Sequence, residues 1–369
     1  MRRPKDSTGD GEVTSRIYYR FHGTDDADTS IPGMQHRRSL SGLSYPLVSS
    51  VPNRNRLVEL VATHQDITKS RPAEERIAHL VSHESPRIAP DSPRAQSSRA
   101  AEETAMSATF TTLRIEQPQP HIKLITLNRP DVANAMNTEM GRDLLACFDA
   151  INAAPSEQRC IVLTGAGRRA FCAGGDLKER NGMTDAQWQE QHLIFERAIR
   201  ALLNCPVPMI AAVNGAAFAG GLEIALCCDF IYATEHARFA LTEVTLGIMP
   251  GAGGTQTLPR AVGARRAKEI MLTGRPFSVQ EAFAWGMVNR ISSAEDLLPQ
   301  AMATAATIAA NAPISTRQIK QAVNCGLNMD LTSGMMFEIE AYNRMVPTED
   351  RREGIRAFNE KRRPDFQGR

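Results

Sequence analysis

Residues 160–178 read CIVLTGAGRRAFCAGGDLK. Residues 160–164 form an unbroken apolar run stopped by Gly165, the pattern of a strand covered on both faces, as in a largely parallel sheet. The segment after that strand decides which α/β fold it belongs to. Gly165-Ala166-Gly167-Arg168-Arg169-Ala170 mimics the glycine fingerprint that sets a dinucleotide pyrophosphate on a helix N-terminus. Such a site needs a helix opening within the glycines. Here Phe171-Cys172-Ala173-Gly174-Gly175-Asp176 intervenes, and two further glycines would break any such helix. A nicotinamide-dependent oxidoreductase is therefore disfavoured. The Gly174-Gly175-Asp176 turn can instead aim backbone N–H groups at a polarised oxygen, because glycine lets another group approach the main chain closely. Asp176 also fits a plainer part, as the cap of the next helical turn.

Outward from this stretch, short β-rich runs alternate with longer helical ones. Strands are expected at residues 121–127 (HIKLITL), closed by Asn128-Arg129-Pro130, at 209–213 (MIAAV), at 230–233 (FIYA) and at 287–291. Between them the spacing predicts helices over 138–153, 185–203, 222–228 and 264–272, and one opened by the capping box Ser278/Glu281 and stopped by Gly286. No fixed-period repeat is visible. The expectation is an α/β core over residues 106–291 followed by a helical, oligomerising region over 292–369.

Composition bounds the function classes. The chain has 369 residues, with 43 Lys plus Arg against 41 Asp plus Glu, a formal charge of +2 that is too balanced for a protein that coats nucleic acid or acidic membrane. No run approaches the ~18 uninterrupted apolar residues of a membrane span. The seven cysteines are odd in number and form no CxxC pair, which argues against a disulfide framework or zinc ribbon and points to a reducing, cytoplasmic setting. No metal site is expected, since His121, His192 and His236 lack ligand spacing. Residues 1–105 are rich in Ser, Arg, Pro, Asp and His and carry no cysteine, so they are expected to be a disordered extension. Asp6, Asp10, Glu12, Asp25, Asp26 and Asp28 spoil a transit-peptide pattern, which disfavours a mitochondrial-matrix destination. The favoured reading is that translation begins at Met106.

Two further segments carry candidate chemistry. In Val213-Asn214-Gly215-Ala216-Ala217-Phe218-Ala219-Gly220-Gly221-Leu222-Glu223 a strand ends, small residues follow, and a helix opens at Gly220 with free N–H donors; Glu223 lies on its first turn. In residues 241–255 Glu243 stands in an apolar neighbourhood, where burial would raise its pKa toward neutrality. The glycines at 251, 253 and 254 lack the Lys-Ser or Lys-Thr of a phosphate loop. Cys172, Cys227 and Cys228 read as packing residues.

FCAGGDLKE (171–179), AAVNGAAFAGGLEIALCCD (211–229) and TEVTLGIMPGAGGTQTLPR (242–260), in this order and spacing, resemble the enoyl-CoA hydratase (crotonase) family, most closely its bacterial hydratases. The resemblance runs from about Phe110 to the closing TEDRREGIRAFNEKRRPDF and covers none of the first 105 residues. It implies a crotonase-type fold of repeated ββα units with C-terminal helices, and an acyl-CoA substrate with no cofactor beyond the CoA it carries. It implies a homotrimer or dimer of trimers, with no nucleic-acid or membrane partner. The family's oxyanion hole would fall on the N–H groups of Gly175 and Gly220, and the two glutamates that hold water on Glu223 and Glu243. Ala133, Ala135 and residues Ala173, Gly174, Gly175, Asp176, Leu177 and Lys178, with Gly220, would grip CoA and substrate. The acyl pocket would be partly lined by Trp188, Ile194 and Phe195. The implied reaction is addition of water to a 2-enoyl-CoA, giving a 3-hydroxyacyl-CoA. The alternatives are a double-bond isomerase or a specialised hydratase of the same family for a branched or carboxylated acyl chain, and more remotely a non-enzymatic RNA-binding relative.

Overall fold

The computed structural model describes residues 110–369; the extension expected over 1–105 lies outside the described residues. Ten strands and eleven helices make up the described residues. The larger sheet has six strands in the order β1 (Leu113–Gln119), β2 (Ile122–Leu127), β3 (Cys160–Gly165), β5 (Met209–Val213), β7 (Phe230–Thr234) and β10 (Arg290–Ser292). β1 and β2 pair antiparallel, and every later neighbour pairs parallel.

Strand β3 shows why its sequence is apolar without alternation. Ile161 and Leu163 enter one core with Leu144, Phe148, Phe195 and Leu202 from helices α1 (Thr138–Ala153) and α3 (Asp185–Leu203). Cys160 and Val162 enter another, with Leu297, Ala301 and Ala305 of α8 (Leu297–Ala309). Both faces of the strand are covered, so both parities must be apolar. Asn137 caps α1 through Met140 N–H, and Thr184 and Gln187 form a capping box on α3, which fixes where each helix begins.

A second sheet of very short strands sits beside the first, in the order β4 (Ala170–Cys172), β6 (Ala216–Phe218), β8 (Arg238–Ala240) and β9 (Phe277–Ser278). β4, β6 and β8 are parallel and each continues from a strand of the larger sheet after a bend. None is expected from sequence, because runs of two or three residues carry too little periodicity to register. The last expected strand also shifts. Residues 287–291 give way to Arg290–Ser292, because Gly286 at φ +81° turns the chain and Met287 and Val288 drop into the core as loop residues. The helix expected over 222–228 is α4 (Gly220–Leu226), opening at the glycine whose free donors marked it.

The remaining helices are α2 (Leu177–Arg180), α5 (Gly254–Val262), α6 (Ala264–Thr273) and α7 (Val279–Ala284), the last with the expected Ser278/Glu281 capping box. Helices α9 (Pro313–Gly326), α10 (Leu331–Asn343) and α11 (Glu349–Asn359) close the chain. α9 is tied to the sheet by Lys320, whose Nζ donates to Val207 O and pairs with Asp229 Oδ2, both at 2.9 Å.

Candidate active site

The turns that leave β4 and β6 lie side by side, and the site is built between them. Met136 N–H donates to Gly174 O at 2.7 Å and Asp176 N–H to Met136 O at 2.9 Å, forming a one-residue parallel bridge. In such a bridge the intervening Gly175 turns its own N–H away from Met136. Gly220 is the first residue of α4, where an N–H has no intrahelical acceptor. Neither N–H meets an acceptor among the described residues, and both glycines line one cavity of about 520 Å³.

Close packing holds the two turns in register. A Cβ built on Gly174 would stand 2.7 Å from Ala219 Cβ and 2.9 Å from Phe218 O, and Gly174 has φ +91°. Only glycine fits there. Ala219, the residue before α4, has φ 49° and ψ −125°, a strained conformation for a residue with a side chain. It is held by its own N–H donating to Ala240 O at 2.8 Å. The strain therefore sits next to the amide of Gly220, where the direction of an N–H matters most.

Two buried carboxyls face the same cavity. Glu223 is 2% exposed, and its Oε1 accepts from Ala252 N at 2.9 Å and Gly254 N at 2.7 Å, the latter at the N-terminus of α5. Burial raises its pKa above the ordinary value, and these two N–H groups oppose that rise. Glu243 is 6% exposed at the start of a 3-10 turn, Glu243–Leu246. Burial pushes its carboxyl up to about 7, its own backbone N–H works against this, and the charge of Glu223 adds to the rise. Its Oε2 is buried with no hydrogen-bond partner among the described residues, an acceptor aimed at whatever enters.

Two acceptor-free amide donors and two buried carboxyls on one cavity suit an oxygen that gains negative charge while protons move beside it. Residues 117–369 match the family described as enoyl-CoA hydratase/isomerase. The chain belongs to that family. It is 48% identical over 248 residues to YngF of Bacillus subtilis (strain 168), covering 67% of this chain and 95% of that protein. It is 36% identical to the short-chain-enoyl-CoA hydratase of Clostridium acetobutylicum, over 68% of this chain and 95% of the relative. The crystal structure of an enoyl-CoA hydratase from Bacillus anthracis superposes with a TM-score of 0.69 at 42% identity, covering 70% of this chain and all of that one. The fold is accordingly the crotonase fold, as the sequence motifs implied.

Of the residues singled out from sequence, Glu223, Glu243, Gly175, Gly220, Ala173 and Leu177 line the cavity together. Ala133, Ala135, Gly174, Asp176 and Lys178 are not part of its wall. Ala133 lies directly behind it, its O accepting from Ala173 N at 3.0 Å, with φ 54°. Asp176 is buried, which alone would raise its pKa, but the Arg129 hydrogen bond at 2.9 Å and the N–H groups of Glu179 and Lys178 outweigh that and hold it low. It caps α2, the plainer of its two expected parts. Lys178 is exposed. Trp188 and Phe195 line the cavity as expected, whereas Ile194 does not. Positions 188, 192 and 195 share one helical face and 194 points off it, packing with the core instead.

Sequence reasoning missed Arg180, Gln189 and His192 on the wall, and the amides of Ala252 and Gly254 that fix Glu223. The helical phase of α3 could have found His192, one turn beyond Trp188. Nothing local marks the pairing of residue 223 with residues 252 and 254. All seven cysteines are free, and burial raises Cys172 to about 11, which suits packing rather than attack. Among the described residues no cluster could hold a metal and no helix is long and apolar enough to cross a membrane.

Proposed function

We propose that this cavity adds water reversibly across the C2=C3 bond of a 2-enoyl-CoA, giving a 3-hydroxyacyl-CoA. One observation carries the reading: two buried carboxyls, one of them near neutral pKa, share a cavity with two acceptor-free N–H groups. The thioester oxygen lies between the N–H groups of Gly175 and Gly220, which stabilise it as it becomes an enolate. Glu223, with Oε1 pinned, uses its other oxygen to take a proton from the water that attacks C3. Glu243, near half-protonated at neutral pH, delivers the proton to C2 and receives it in the reverse direction. The pair shares one proton through the cycle, and its two titrations are coupled. Leu177, Ala173 and the backbone around Ala133 line the route for the CoA arm. The reaction so written uses no group beyond the substrate's own CoA.

Assembly as a trimer or dimer of trimers, expected from the family, is part of this proposal. Ile319, Val323, Leu327, Met335, Ile339 and Phe358 of α9 to α11 are all more than half exposed, more apolar surface than a lone subunit ordinarily shows. Seven free thiols, six of them buried, fit the cytoplasm. The deciding assay follows the enoyl-thioester absorbance of crotonyl-CoA with the purified full chain beside Glu223→Gln and Glu243→Gln. Rapid loss in the wild type, and a drop of about 10² or more in each variant, is the expected result. Turnover untouched in either variant would remove that carboxyl from the chemistry.

A further inference from the structure

Arg180, the last residue of α2, lies on the cavity wall and makes no ion pair among the described residues. Its Cζ stands 4.3 Å from the centroid of the Trp188 ring and 5.4 Å from that of Phe195. Its Nε donates to the side-chain oxygen of Gln191 at 2.7 Å. Gln191 is itself buried and fixed, its amide donating to Thr138 Oγ1 at 2.8 Å and to Glu179 Oε2 at 2.7 Å. The guanidinium is thus held in one orientation by a stacked ring on one side and a locked amide on the other. Nη1 would be 3.1 Å from a Cβ on Gly175, which places it beside the backbone that carries one of the two oxyanion donors.

Only one of the five guanidinium N–H groups is used. Among the described residues Arg180 makes no ion pair, and its Nη groups meet no acceptor. Burial lowers its pKa, and the charge of Glu179, which bonds to Gln191 rather than to Arg180, opposes that fall. A fixed, partly desolvated fork with free donors is matched by a carboxylate, which accepts two parallel N–H bonds. Gln189 and His192 add polar atoms to the same wall, while Trp188 and Phe195 offer apolar surface for chain carbons. Glu223 and Glu243 would repel an acidic substrate, so accepting one requires a compensating cation inside the cavity.

We propose that Arg180 is a specificity residue that binds a carboxylate at the far end of the acyl chain, so that the preferred substrate is a CoA thioester of an unsaturated dicarboxylic acid. This rests on the acyl-CoA reading of the cavity. The phosphates of CoA offer the same anionic chemistry but are separated from the thioester by the pantetheine arm, whereas Arg180 adjoins Gly175.

The test uses two unreactive thioesters that differ only at the chain end, glutaryl-CoA and 5-methylhexanoyl-CoA, in which an isopropyl group replaces the carboxylate. Calorimetric titration of the full chain compares wild type, Arg180→Met and Arg180→Lys. The wild type binds glutaryl-CoA the more tightly, and Arg180→Met shifts the ratio of the two dissociation constants toward the apolar ligand by about 10- to 100-fold. Arg180→Lys keeps part of the preference, since it retains charge without the planar fork. Because both ligands carry the same CoA, recognition of its phosphates cancels in the ratio. A wild type indifferent to the chain end, or an Arg180→Met that weakens both ligands equally, overturns this inference while leaving the hydratase intact. Binding of neither thioester overturns the acyl-CoA reading and this inference with it. Should Arg180→Met fail to fold, the wild-type ratio and its change in Arg180→Lys decide alone.

Discussion

Glu243 couples the chemistry of the site to the stability of the protein, and the coupling has a sign. Its carboxyl rises from the ordinary 4.5 to about 7 on folding, so between those values the folded chain holds a proton that the unfolded chain releases. Stability contributed by that proton is complete below pH 4.5 and disappears as pH climbs through 7. Converted at 1.36 kcal/mol per pKa unit, the gap is worth about 3 kcal/mol, of which about 2.5 kcal/mol falls between pH 5 and pH 8. Glu243→Gln keeps the shape of the neutral side chain and never ionises, so it lacks this slope. Glu223 titrates in both proteins and cancels to first order. The variant should therefore gain on the wild type as pH rises, reaching an advantage about 2.5 kcal/mol larger at pH 8 than at pH 5, or several degrees in Tm. Urea unfolding at pH 5, 6, 7 and 8, at one protein concentration, measures it. Two stability curves running parallel across that range would refute the reasoning, for they would mean that burial does not hold the proton on Glu243.

The same proton should govern rate. Hydration of crotonyl-CoA is expected to fall about tenfold per pH unit above the upper titration of the Glu223/Glu243 pair, near 7, with the limb missing from the residual activity of Glu243→Gln; a flat profile to pH 9 would exclude Glu243 as the acid. Gly174→Ala, whose methyl would meet Ala219 Cβ at 2.7 Å, should lower kcat at least tenfold by displacing the Gly220 amide. Gly182→Ala is its control: at φ +88° with nothing within 4 Å it should cost about 1 kcal/mol of stability and spare kcat, and equal kcat losses in the two would count against the oxyanion assignment. Lys320→Met removes the cation beside the partly exposed Asp229 and the donor to Val207 O, and should destabilise the chain by about 1 to 2 kcal/mol in urea unfolding at neutral pH; no measurable change would show the pair to be idle.

The elements legible in the sequence are those that bury a long, regular face. α1 and α3 begin and end where their caps and apolar spacing place them, at 138–153 and 185–203. β5 lies at Met209–Val213 as its unbroken apolar run requires. The second sheet escaped because strands such as Ala216–Phe218 owe their existence to neighbours rather than to propensity. The site divides along the same line. Gly220 and Glu223 are readable because glycine and acid at a helix start each have a local physical reason. Their association with Gly175 and Glu243 is tertiary, and became visible in sequence only as three motifs in one order. Arg180 carries no local signal at all: its proposed part arises from the rings that stack on it and from Nη groups that meet no acceptor among the described residues.

The surroundings of the two glutamates differ in a way that matches the different parts proposed for them. Glu223 sits on a helix first turn, and two N–H groups, of Ala252 before α5 and of Gly254 at its first residue, grip one of its oxygens. Those bonds stabilise the anion, hold the side chain against rotation and leave a single oxygen for the cavity, the requirements of a base that must point a water at one carbon. Glu243 sits on a 3-10 turn with a buried oxygen that nothing satisfies, so its anion is the costly form and its acid the favoured one. A donor on the unsatisfied oxygen of Glu243 would lower its pKa, and removing the two donors from Glu223 would raise that of Glu223. For the proposed reaction it is this asymmetry in hydrogen bonding, rather than the mere presence of two carboxyls, that would let one proton enter and one leave in the same cycle.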